Sequence, residues 1–116
     1  MRLASSAVWG VTLSADGRLL ASGGFEGTVR LWETTTGRLL ATLQGHTGGV
    51  RGVALSADGE LLASGGEDGM VRLWAAGSGQ LLASLPGHTG VVRNVAMSAD
   101  GQLVVSGGDD RTVRLW

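Results

Sequence analysis

The chain is written nearly three times over at a spacing of 42 residues, and this repeat limits its fold more than any other feature. Trp32, Trp74 and Trp116 recur at that spacing, as do Asp16, Asp58 and Asp100, Ser22, Ser64 and Ser106, and the pair His46 and His88. Aligning residues 33–74 with 75–116 gives 26 identities in 42 positions, which marks duplication of one supersecondary unit. The expected units are 1–32, an incomplete first one, then 33–74 and 75–116. Stacked units bury their apolar faces against one another, so the core is expected between units and not in one centre.

Each unit divides into four short strands. Residues 7–13 (AVWGVTL) are apolar and β-branched and stop at Ser14-Ala15-Asp16-Gly17, whose Asp-Gly pair suits a hairpin turn with a residue at positive φ. Residues 18–22 and 28–32 give a second and third strand, separated by Gly23-Gly24-Phe25-Glu26-Gly27, and residues 38–43 give a fourth. The first, second and fourth strands read as almost continuous apolar runs, so both sheet faces are expected to be covered. With no helical period in the chain, the cover must be other sheets. Four-stranded antiparallel sheets repeating every 42 residues and packed face to face describe the blades of a β-propeller, an all-β fold. The first, second and third strands occur three times but the fourth only twice, so a ring is not expected to close within one chain.

At this point the sequence resembles the WD-repeat β-propeller family over essentially its whole length. The family's Gly-His pair stands at Gly45-His46 and Gly87-His88, its turn Asp at Asp68 and Asp110, its second-strand Ser at Ser22, Ser64 and Ser106, and its third-strand Trp at Trp32, Trp74 and Trp116. The Asp that follows the family's Trp is replaced by Glu33 and Ala75, and the Pro of its first turn by Ala15, Ala57 and Ala99. The first unit has Ala4 in place of His and Glu26 in place of Asp, so it is expected to be the least well tied. The resemblance implies a hydrogen-bonded chain of indole, hydroxyl, imidazole and carboxylate through Trp74, Ser64, His46 and Asp68, and again through Trp116, Ser106, His88 and Asp110. Ser64 and Trp74 each lie five residues from Gly69, which would set them opposite one another in a hairpin turning on that glycine.

Ser, His and Asp together also invite a catalytic reading. Against it, the set occurs twice, the Trp would occupy the Ser hydroxyl, and no nucleophile elbow surrounds the Ser. The pairs Gly23-Gly24, Gly65-Gly66 and Gly107-Gly108 are followed by strands, whereas a phosphate loop needs a helix N-terminus, so they read as turn and bulge glycines. Two histidines without a third repeated ligand make a poor metal site. Neither cofactor nor metal is expected.

Nine arginines stand against ten acids, with no lysine and a net charge of −1, and the charges are scattered singly. That distribution argues against nucleic acid as a partner. There is no cysteine, so disulfides and thiolate metal sites are excluded. No signal peptide and no membrane-spanning run is read in the sequence, which makes a cytoplasmic location and no membrane partner the expectation.

In a four-stranded meander the loop entering the first strand and the turn between the second and third share one face. That face would carry Ala7, Trp9 and Phe25, then Gly49, Arg51 and Glu67, then Val91, Arg93 and Asp109, positions where the resembling family commonly contacts partners. The alternative is that Arg51 and Arg93 merely pair with Glu67 and Asp109 while Trp9 and Phe25 cover an end sheet. The expected function is a non-enzymatic protein–protein interaction scaffold for an unidentified protein partner. Its rival is a self-assembly module that closes a ring as a homo-oligomer, or with neighbouring blades of a longer array.

Overall fold

A computed structural model describes residues 2–3 and 7–116, and Ala4 lies outside the described residues. The strands are β1 (Val8–Leu13), β2 (Leu19–Gly24), β3 (Thr28–Glu33), β4 (Leu39–Gln44), β5 (Val50–Leu55), β6 (Leu61–Gly66), β7 (Val71–Ala75), β8 (Gln80–Leu85), β9 (Val92–Met97), β10 (Val104–Gly108) and β11 (Val113–Leu115). They form two four-stranded antiparallel sheets, β1-β2-β3-β4 and β5-β6-β7-β8, and a three-stranded sheet, β9-β10-β11. Each sheet is one blade. Among the described residues no helix forms, and no helix is long and apolar enough to cross a membrane.

The Ser-x-Asp-Gly turns are why β1, β5 and β9 fold back where they do. Ser14 Oγ donates to Asp16 Oδ1 at 2.7 Å and accepts the Leu19 N–H at 3.1 Å, while Asp16 accepts the Arg18 N–H at 3.0 Å. Gly17, Gly59 and Gly101 close these turns at φ of 72°, 73° and 73°, the left-handed region where only glycine is unstrained. Successive turns also bond blade to blade, Ala15 N–H to Ala57 O and Ala57 N–H to Ala99 O, both at 3.1 Å.

The core lies between the blades. Ala21, Val29 and Leu31 of the first blade meet Val50, Val53, Leu62 and Trp74 of the second, and Ala63 and Val71 of the second meet Val92, Val95 and Val104 of the third. The innermost strands β1, β5 and β9 pack side by side. Their closest approach is through glycine: a Cβ on Gly10 would lie 2.9 Å from Arg51 O and one on Gly52 2.9 Å from Asn94 Cα.

Three expectations need correction. The glycine pairs do not lie in turns, but the bulge part of the expectation holds. The register shifts where Gly24 and Gly23 face Val8 and Gly10, where Gly66 and Gly65 face Val50 and Gly52, and between Gly107 and Gly108. Gly23-Gly24 and Gly65-Gly66 end β2 and β6, because a Cβ on Gly23 or Gly65 would stand 2.5 Å from Cγ1 of Val50 or Val92 on the next blade. Gly107-Gly108 likewise ends β10, with a register shift between the two. The fourth strands are apolar but not covered on both faces: Leu39, Leu40, Leu81 and Leu82 remain exposed, since the blades diverge towards the rim. Finally, Ser64 pairs directly with Arg72, not Trp74, because the hairpin turns at Glu67 and Asp68, ahead of Gly69.

Candidate functional site

Ser64, Arg72 and Trp74 share one face of the second blade, since Ser64 and Arg72 are cross-strand partners and Trp74 lies two residues further along β7. The indole is long enough to reach diagonally, and Trp74 Nε1 donates to Ser64 Oγ at 2.9 Å. From the β4–β5 loop, His46 places Nε2 2.7 Å from Ser64 Oγ and Nδ1 3.1 Å from Asp68 Oδ1. One set of protons satisfies every member. The indole N–H goes to Ser64, the Ser64 O–H to His46 Nε2, and the His46 Nδ1–H to the Asp68 carboxylate. Arg72 Nη1 lies 3.0 Å from that same Nδ1, but its hydrogen bond is the 2.7 Å one to Asp68 Oδ2. Asp68 also accepts the N–H groups of Thr47 and Met70, both at 3.1 Å, so one carboxylate ties the β4–β5 loop to the β6–β7 turn.

The third blade repeats this with one exchange. Trp116 Nε1 donates to Ser106 Oγ at 2.9 Å, His88 Nε2 lies 2.7 Å from that oxygen, and His88 Nδ1 is 3.1 Å from Asp110. Arg114 stands at the position of Arg72, but the side chain that bonds the carboxylate here is Thr112, the counterpart of Met70, which donates to Asp110 Oδ1 at 2.7 Å. Arg72 and Thr112 were absent from the sequence reading; Arg72 lies directly across from Ser64 on β7, which is a signal for it, whereas Thr112 precedes β11 and has no such signal. In the first blade Trp32 Nε1 donates to Ser22 Oγ at 3.2 Å.

Burial pushes the His46 imidazole below its ordinary value of 6.5, Asp68 pulls it back up by hydrogen bond and charge, and the Arg72 charge lowers it further. Burial works against the Asp68 charge, yet hydrogen bonds from Arg72, His46, Met70 and Thr47 outweigh it and leave the carboxyl below 3.8. Asp110 is also lowered, chiefly by the Thr112 hydroxyl. Both kinds of shift act in one direction. The unfolded chain takes up protons at His46 below 6.5 and at the two carboxylates below 3.8, the folded chain only at lower pH, so unfolding binds protons and acid destabilises the fold. The denaturant midpoint is expected to begin falling as pH drops through about 6.5 and to fall more steeply below about 4. His46→Gln should remove the upper step alone; a midpoint constant down to about pH 4 would contradict the arrangement.

On one face of the blades, the carbonyls of Ala7, Gly49 and Val91 accept the N–H groups of Phe25, Glu67 and Asp109 at 3.1, 2.9 and 2.9 Å. Trp9 stands over Gly49, where a Cβ would be 2.1 Å from Trp9 Cζ3. Its ring meets Phe25 edge-on at 6.1 Å between centroids, and the Arg51 guanidinium lies 3.8 Å from its centroid. Arg51 also bonds Glu67 at 3.2 Å, and Arg93 grips Asp109 with two hydrogen bonds of 2.8 and 3.0 Å. Hydrogen bonds from the Gly49 N–H and then Arg51 hold Glu67 below its ordinary value. The structure thus joins Phe25, Trp9, Arg51, Glu67 and Gly49 in one contiguous group, with Arg93 and Asp109 as a second pair. Among the described residues no three of His, Asp and Glu converge to hold a metal ion.

The model of the WD domain, G-beta repeat, matches residues 3–33, 37–75 and 79–116. The chain belongs to the WD-repeat family. It is similar over its whole fold to the structure of U3-55K, with a TM-score of 0.90 and 31% identity over 97% of this chain and 34% of that one. The crystal structure of the RRP9 WD40 repeats gives 0.90 and 30% over 96% and 34%. A 41-residue stretch is 49% identical to the eukaryotic translation initiation factor 3 subunit I of Phaeosphaeria nodorum, covering 35% of this chain and 12% of that protein. The chain therefore spans about a third of the solved structures and a smaller part of that factor.

WD-repeat domains serve in general as protein-interaction scaffolds. In this WD-repeat chain the Ser, His and Asp side chains have the spacing of a hydrolytic triad, but Ser64 is 0% exposed and its oxygen is bound by the indole. A nucleophile needs an approach path and an oxygen exposed to its substrate. Ser64 has neither.

Proposed function

We propose that this chain is a non-enzymatic WD-repeat segment that recognises a protein partner through the face carrying Trp9, Phe25, Arg51 and Arg93. The observation behind this reading is the Phe25–Trp9–Arg51 stack. Phe25 is 67% exposed, and the guanidinium, ring and ring support one another without a partner present. Trp and Arg anchor interfaces most often, and anchors already held in place lose little entropy on binding. The Arg51–Glu67 and Arg93–Asp109 pairs fit the same reading, because they fix the orientation of both arginines. In a binding assay on proteins retained by the immobilised chain, Trp9→Ala and Arg51→Ala are expected to weaken retention by more than about 1 kcal/mol. Arg18→Ala and Glu60→Ala, on the opposite face, should not. Equal losses from both faces would refute the assignment.

A second reading, self-association through the end blades, is favoured by their exposed apolar faces. Val11 is 65% exposed where its repeat equivalent Val53 is 7%, and Val113 is 79% exposed where Val71 is 0%. Gly107 is open, with nothing within 4 Å of a Cβ, although Gly23 and Gly65 each receive a valine from the next blade. The matching valine of the first blade is Val8, exposed on the opposite end. The two ends of the chain are therefore complementary in the way that consecutive blades are, and a head-to-tail contact would cover both. Two chains would supply six blades, within the range of closed propellers. Asn94 works against this contact, since it stands where Gly10 and Gly52 allow close approach.

A further inference from the structure

On the face proposed for recognition, each blade sets one residue of its inner strand against one residue of the turn between its second and third strands. The pairs are Trp9 with Phe25 in the first blade, Arg51 with Glu67 in the second and Arg93 with Asp109 in the third. Trp9, Arg51 and Arg93 stand 42 residues apart, so they are one position repeated along the inner strands. Neighbouring members of this row are within reach of each other, because β1, β5 and β9 pack side by side and a Cβ on Gly10 would lie 2.9 Å from Arg51 O. Across the first seam the contact is made: the Arg51 guanidinium, from the following blade, covers the Trp9 ring at 3.8 Å from its centroid.

The two ends of the row are only half engaged. Arg51 reaches Trp9 from the side of the following blade, and the side from which a preceding blade would come carries no residue of the row. At the far end the Arg93 side chain is 53% exposed, where that of Arg51 is 28%. Hydrogen bonds of 2.8 and 3.0 Å from Nε and Nη2 to Asp109 fix its guanidinium. A guanidinium held along one edge keeps its flat faces free to stack on an aromatic ring.

We propose that the recognition face is completed by a second copy of the chain, whose Trp9 packs against Arg93 across a head-to-tail seam. The inference rests on the self-association reading above, in which the two ends of the chain meet. The order of the two residues is the reverse of that in the first seam, so the second copy's indole is met by Arg93 on one side and by its own Arg51 on the other. The joined face then runs Arg51, Arg93, Trp9 and Arg51 without a break, and a protein partner laid on it touches residues of both copies. Asn94 carries a side chain where Gly10 and Gly52 have none, so this seam closes less tightly than the two inside the chain and opens on dilution.

The dissociation constant of the chain for itself, from light scattering of a dilution series, is the test. Trp9 and Arg93 belong to the first and third blades, with a whole blade between them in one chain, so coupling between them in this constant comes from the seam. Arg93→Ala is expected to weaken association about threefold for each seam formed. In a Trp9→Leu background, which keeps an apolar side chain without the π face, the same change should have no effect. The indole N–H signals of the ¹⁵N-labelled chain give a second readout: the one missing from the Trp9→Leu spectrum should shift on dilution, while that of Trp74, buried in the first seam, stays still. A chain that is monomeric at every concentration overturns the self-association reading itself. A chain that associates, but in which Arg93→Ala has the same effect with and without the Trp9 ring, overturns this inference alone.

Discussion

Replacing Trp74 with alanine is expected to lower the stability of the chain by about 3–5 kcal/mol, the cost of removing a large aromatic from a close-packed core. The ring is 2% exposed and belongs to the cluster that joins the first blade to the second, with Leu31, Leu43 and Leu62. It also fits against Gly45, where a Cβ would lie 3.0 Å from Trp74 Cη2. Its removal leaves a cavity at the joint and takes away the indole N–H that Ser64 accepts. Trp74→Phe separates the two effects. It keeps most of the apolar contact and loses the N–H, so about 1 kcal/mol of the loss should remain. Denaturant midpoints with an unchanged slope measure both. A cost for alanine no greater than that for phenylalanine would show that the ring is not part of the joint.

Gly52→Ala is expected to cost about 3 kcal/mol, at the upper end for added volume in a packed interior, although the change is only one methyl group. A Cβ there would meet Asn94 Cα and Val95 N, both at 2.9 Å, and both are backbone atoms of the neighbouring blade. No rotamer change can relieve that contact, so β5 and β9 must separate and open the cluster of Ala63, Val71, Val92 and Val95. Gly77→Ala is the control, since nothing lies within 4 Å of its Cβ position, and it should leave the midpoint unmoved. Equal midpoints for the two variants would mean that the blades are not in close backbone contact.

The period made the architecture legible, because a 42-residue repeat of short apolar segments with no helical pattern can only stack sheets on sheets. The Ser-x-Asp-Gly turns were legible too, being local chemistry. What could not be read were features that belong to the neighbouring blade. Gly23 and Gly65 look like turn residues, and the need for them appears only once Val50 and Val92 are seen against them. Leu81 and Leu82 suggest a strand buried on both faces, but they lie on the rim, where adjacent sheets have diverged. The hairpin register was misjudged by counting from Gly69, and the Trp74–Ser64 bond forms regardless because the indole spans the diagonal. At the candidate binding face, the nine residues were assigned from topology, but the stacking of Arg51 on Trp9 required coordinates, since the two belong to different blades.

That the end faces of this chain pack against those of a second copy is tested most directly by its mass in solution, measured by light scattering after size exclusion over a range of concentrations. The expected result is a concentration-dependent species of twice 11.8 kDa, returned to the monomer by Gly107→Val, which blocks the open socket without touching the rest of the fold, and tightened by Asn94→Gly. A compact, cooperatively unfolding monomer of 11.8 kDa at every concentration, unaffected by either substitution, would contradict it.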